Sequence, residues 1–133
     1  MVFVGLFLVK FLLYYGVCAS GPALLRIQPK DRTPFALSWA AARIGMGMVL
    51  GYPIVLSFFY VQSTGVPTVL SYLLVFLPAR YLLWWATCRL MLARHKAEGS
   101  GRPHAWVLLG ICASFSVDGL AYLVGDDDFK FFC

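Results

Sequence analysis

Four ionisable residues stand near the middle of four long apolar stretches: Lys10, Arg43, Arg80 and Asp118. A charge at mid-bilayer depth costs about 3 kcal/mol or more on insertion scales. Such a residue persists where it pairs, faces a protein interior or meets a ligand. Three of the four are basic and one is acidic, so one pair can form and a positive excess remains inside the protein. Further along the third stretch come Arg89 and Arg94. Arginine stays charged and presents a planar set of donors suited to carboxylate or phosphate. Arg43, Arg80, Arg89 and Arg94 thus make a candidate site for an anionic ligand whose other part is apolar. Other chemistry is sparse. Cys18, Cys88, Cys112 and Cys133 form no CxxC pair and no metal-ligand spacing. His95 and His104 both fall in a polar loop, and no Gly-rich phosphate loop or Ser-His-Asp arrangement is visible. No metal is expected.

The elements that must position these residues follow from composition. The chain has 133 residues, 61% hydrophobic and only 13% charged. A soluble domain is near 25% charged, and apolar runs of about 20 residues read as transmembrane. The expected fold is all-α: one integral membrane four-helix bundle, with spans at about 2–25, 35–61, 68–91 and 105–124. The start lacks the basic n-region of a secretory signal and reads as a retained first helix. Pro53 is expected to kink the second span, and Pro78 interrupts the third two residues before Arg80. In span two, Ala40–Ala42 and the run Gly45, Gly47, Gly51 offer small residues for close helix packing. Met46 and Met48 are expected to pack rather than bind metal.

With four spans, the first and third loops share one face. They carry Arg26, Lys30 and Arg32, then Arg94, Lys96 and Arg102, whereas the second loop is neutral and the tail holds Asp126, Asp127 and Asp128. By the positive-inside pattern the basic loops, 26–34 and 93–104, are expected in the cytoplasm and both termini outside. The net charge of +5 is then a signal of topology, and nucleic acid is not an expected partner. Lys10 and Asp118 both fall in the outer half on this topology. A Lys10–Asp118 ion pair, fixing helix one on helix four, is the expected outcome. An ion or proton path is the alternative.

The stretch from Phe76 to Arg94 (FLPARYLLWWATCRLMLAR) resembles the third helix of the MAPEG family, the membrane-associated proteins in eicosanoid and glutathione metabolism. That family has an Ala-Arg pair, a second arginine nine residues on and a third five further, the spacing of Arg80, Arg89 and Arg94. The match runs on without a gap to Trp106, and Arg43 and Pro53 fit the family's arginine and proline ten residues apart in span two. The resemblance implies a homotrimer that binds glutathione between subunits near the cytoplasmic face. It further implies Arg94 as the catalytic stabiliser of the thiolate, Arg43 as a carboxylate ligand, Arg26 as a looser one, and a lipophilic substrate arriving from the bilayer. A fixed cation beside a thiol favours the nucleophilic thiolate. The chain departs from the glutathione-using pattern at Gly47, Leu50 and Gly51, where that pattern has Asn, Glu and Tyr, and at Leu83 and Thr87, where it has tyrosines. A glutathione-dependent transferase or peroxidase, a non-catalytic lipid-binding or accessory subunit, and a small transporter are the three readings, in that order.

Overall fold

The computed structural model describes residues 2–95 and 101–124. These form four helices: α1 (Val2–Leu25), α2 (Arg32–Ser63), α3 (Thr68–Arg94) and α4 (Pro103–Val124). All four are long and apolar enough to cross a membrane. The shortest, 22 residues, spans about 33 Å, which matches a hydrocarbon core of about 30 Å. The acidic tail at Asp126–Asp128, Lys96 and Cys133 lie outside the described residues.

Each helix packs on two neighbours, α1 on α2 and α4, and α3 on α2 and α4. The bundle is therefore a ring in chain order, as short connections between antiparallel neighbours dictate. The buried face of α2 is Phe35, Ala36, Trp39, Ala40, Arg43, Ile44, Gly47, Gly51 and Phe58, a repeat of three and four residues. Ala40, Gly47 and Gly51 do lie on that packed face, while Ala41 and Ala42 point outward. The outward faces are apolar, with Leu12, Leu82 and Leu123 more than 60% exposed. Such faces suit lipid, and a helix satisfies most of its backbone polar groups internally.

The helices overrun the apolar segments. α2 starts at Arg32 rather than near 35, because Pro34 falls in the first turn, where its missing N–H has no partner to lose. α3 continues to Arg94 and α4 starts at Pro103. Both α2 and α3 run through their internal prolines, Pro53 and Pro78, without a break in the helix. α1 closes on Arg26, which adopts φ 53, while Ile27 N donates to Pro22 O at 3.2 Å. This is a left-handed helix cap made without glycine. The chain before α4 docks on the same helix end: Arg102 N donates to Leu24 O at 2.7 Å. A Cβ on Gly101 would lie 2.9 Å from the Leu25 carbonyl carbon, so the close approach needs glycine there.

Candidate functional site

The centre of the bundle is built from one residue of each helix: Tyr14 of α1, Arg43 of α2, Trp84 of α3 and Ser114 of α4. Trp84 Nε1 donates to Ser114 Oγ at 3.1 Å, and Ser114 Oγ donates to Gly110 O at 3.0 Å. The serine proton is thus committed, so the Tyr14 hydroxyl is the donor in its 2.9 Å bond to the same Ser114 oxygen. The Arg43 guanidinium lies 5.4 Å from the Tyr14 ring centroid and 5.0 Å from that of Trp84. Arg43 is 0% exposed. A desolvated cation over an aromatic face gains about 2 kcal/mol or more, so these rings stabilise the buried guanidinium. Trp84 reaches this position because α4 has glycine at 110. A Cβ there would stand 2.3 Å from the Trp84 ring.

One turn toward the termini lies a second polar layer. Arg80 Nη2 and the Tyr72 hydroxyl both donate to Asp118 Oδ2. The Arg80 guanidinium is also ringed by Phe115, at 4.5 Å, and by Phe76 and Tyr72, each at 5.8 Å. Lys10 is buried at the same level, its Nζ 5.8 Å from the Tyr14 ring centroid. The partner of Asp118 is therefore Arg80, not Lys10 as depth alone suggested. Lys10 and Arg80 both enter this layer, but Lys10 turns over Tyr14 one helical turn along its own helix, and the forked guanidinium of Arg80 lies across the α3–α4 seam from the carboxylate.

On the other side of the centre the core is aromatic and apolar. Trp106 Nε1 donates to Val17 O at 2.8 Å and packs edge-on against Trp84, with centroids 5.3 Å apart. Cys18, Cys88 and Met91 are buried in the same cluster. Trp84 and Trp106 are core residues, and Trp85 alone of the three tryptophans near this level is partly exposed.

The arginines named from the sequence separate into two groups. Arg43 and Arg80 are enclosed within the bundle, whereas Arg26, Arg89 and Arg94 are exposed at the end that carries the first and third loops. Arg80 and Arg94 are 14 residues apart on one helix, about 21 Å along its axis, so they do not share one pocket within this subunit. A surface groove lined by Arg89, Leu90, Leu92 and Ala93 marks the exposed group. Sequence reasoning passed over Tyr14, Tyr72 and Ser114 as functional parts of the interior. The available signal was the depth of Trp84, whose N–H needs an acceptor when buried in an apolar span.

The fold and its interior define a class: a multi-pass four-helix membrane protein whose core holds buried cations on aromatic faces and the Arg80–Asp118 ion pair. Comparison with family models, curated proteins and solved structures finds no match.

Proposed function

We propose that this protein is a non-catalytic membrane bundle that holds an anionic amphipathic ligand at its arginine-rich end. The observation that supports this reading is the division of the arginines. Arg43 and Arg80 are engaged in the interior by aromatic rings and Asp118, which leaves Arg89 and Arg94, beside the groove at Leu90, Leu92 and Ala93, to meet a ligand. Arginine supplies the paired donors for the anion, and the leucines supply a greasy wall. In orientation, the basic loops 26–34 and 93–104 are cytoplasmic and both termini are outside, as the charge asymmetry of the sequence favours. Thermal stability of the detergent-purified protein, titrated with an anionic amphiphile and with its neutral counterpart, tests this. Saturable stabilisation by the anionic compound alone, abolished in the Arg89→Ala, Arg94→Ala double variant, is expected. Equal response to both compounds would sink the reading.

A second reading keeps the MAPEG-like assignment with glutathione as cofactor in a homotrimer. The exposure of both Arg89 and Arg94 at one end of α3 favours it, because a site between subunits needs side chains that face outward. Arg94 is then the thiolate stabiliser, and a neighbouring subunit supplies the polar partners missing at Gly47, Leu50 and Gly51. Glutathione binding at millimolar concentration, lost in Arg94→Ala, together with a trimeric mass in detergent, would favour this reading over the first.

A further inference from the structure

The outer surface where α3 meets α4 carries an aromatic and cationic arrangement whose indole, Trp85, backs onto the core. Tyr81, Trp85 and Arg89 follow one another at intervals of four on α3 and so share a face. The Tyr81 and Trp85 rings are nearly parallel, 7° apart with centroids at 6.2 Å. The opposite side of the seam is His104, in the first turn of α4, whose ring stacks on Trp85 at 5.1 Å and 21°. The Arg89 guanidinium lies 5.8 Å from the Trp85 centroid. Arg89 and His104 are exposed and Trp85 is half-buried. The indole thus carries an imidazole stacked on it and a guanidinium over its ring, while Tyr81 extends the flat surface one turn deeper toward the apolar middle of the helix. Leu108, one turn on from His104 along α4 and 57% exposed, continues the greasy wall beside it.

This order, polar donors at the helix end and flat apolar surface below them, matches a phospholipid: charged head at the interface, chain along the wall. Charge selects the kind. Among the described residues at this end, Arg26, Lys30, Arg32, Arg89, Arg94 and Arg102 stand against a single acid, Asp31. We propose that the α3–α4 seam binds one anionic glycerophospholipid. Its phosphate sits between Arg89 and His104, and its acyl chain lies on Trp85, Tyr81 and Leu108. This rests on the amphiphile-binding reading above and gives it a ligand class and a second set of residues.

The full chain in detergent, mixed with phosphatidylglycerol or phosphatidylcholine and weighed intact by native mass spectrometry, provides the test. One phosphatidylglycerol per chain is expected to persist where phosphatidylcholine does not. A basic residue that merely attracts the anionic surface is worth about fivefold in affinity. Arg89→Gln and Trp85→Leu are therefore expected to weaken phosphatidylglycerol binding by about tenfold or more, since they remove a direct charge-assisted contact and the wall. Lys30→Gln, at the same end, should change it by about fivefold or less. Near-UV circular dichroism of the buried tryptophans verifies that each variant is folded. Equal loss in Lys30→Gln and Arg89→Gln would overturn the seam site while leaving a diffuse anionic-lipid preference and the broader reading intact. No preference for phosphatidylglycerol in the unmodified protein would overturn both. Displacement of the lipid by inorganic phosphate at equal concentration would overturn the lipid as ligand, because the wall would then contribute nothing.

Discussion

Replacing Asp118 with asparagine tests the interior most sharply. The substitution keeps the shape of the side chain and one acceptor oxygen for Tyr72, but removes the negative charge that Arg80 faces. Arg80 is 2% exposed and has no water to turn to. Breaking a buried ion pair by removing one partner costs about 3–5 kcal/mol. The rings of Phe115, Phe76 and Tyr72 remain around the guanidinium and soften the loss, which places the expected effect near the lower figure, about 3 kcal/mol. That corresponds to roughly a hundredfold shift in the unfolding equilibrium. Equilibrium unfolding in mixed micelles, followed by the near-UV signal of the core tryptophans, measures it. The decisive comparison is a cycle with Arg80→Met. The double variant removes both charges and should recover most of the lost stability, giving a coupling of about 2 kcal/mol or more, well above the roughly 0.5 kcal/mol scatter of independent sites. Additive single effects would refute the pair. A larger coupling in the Lys10→Met, Asp118→Asn cycle would restore Lys10 as the partner.

Three further substitutions probe the other parts of the fold. Ser114→Ala deprives Trp84 and Tyr14 of their shared acceptor, and with two buried donors left unmet the expected loss is about 1–3 kcal/mol for each. The same unfolding assay reads it, and adding Tyr14→Phe should cost little more. Gly110→Ala forces a methyl to within 2.3 Å of the Trp84 ring, so destabilisation by about 1–3 kcal/mol or more is expected. Gly119→Ala on the same helix, where nothing lies within 4 Å of the new atom, should instead stabilise by up to about 1 kcal/mol. Arg26→Gly relieves the left-handed cap at φ 53 and should raise stability by about 1 kcal/mol. A drop in stability there would mean that the Arg26 side chain holds something that the cap geometry does not explain.

Much of the architecture was legible because hydropathy is a one-dimensional signal. The four spans could be counted, and α1 falls at 2–25 as read. The helix ends were less legible for a physical reason: the apolar segment stops where lipid stops, whereas hydrogen bonding carries the helix on to Arg32, Arg94 and Pro103. The interior divides in the same way. Depth along a helix can be counted from sequence, and it put Lys10 and Asp118 together in the outer half, but it grouped Arg80 with Arg89 and Arg94, whereas Arg80 lies in the layer of Asp118. Rotation about the helix axis cannot be counted so simply, and rotation decides which cation meets the carboxylate. For Arg43, Ala40 and Gly47 one turn either side lie on the packed face, as the small residues of span two suggested, whereas Ala41 and Ala42 do not. The Ser114 node carried no such mark, since a serine inside an apolar span also bonds back to its own helix, as Ser114 does to Gly110.

The sign of the interior has a consequence for what the bundle does. Asp118 pairs with Arg80, and aromatic ring faces lie beside the cations of Lys10, Arg43 and Arg80. An aromatic face does not titrate and cannot leave with a proton, so this compensation is fixed in place. The transporter reading rested on the buried charges, with Lys10 and Asp118 as an ion or proton path. With Asp118 held by Arg80 and Tyr72, and with Lys10 over Tyr14, the mid-membrane charges serve to lock four helices together.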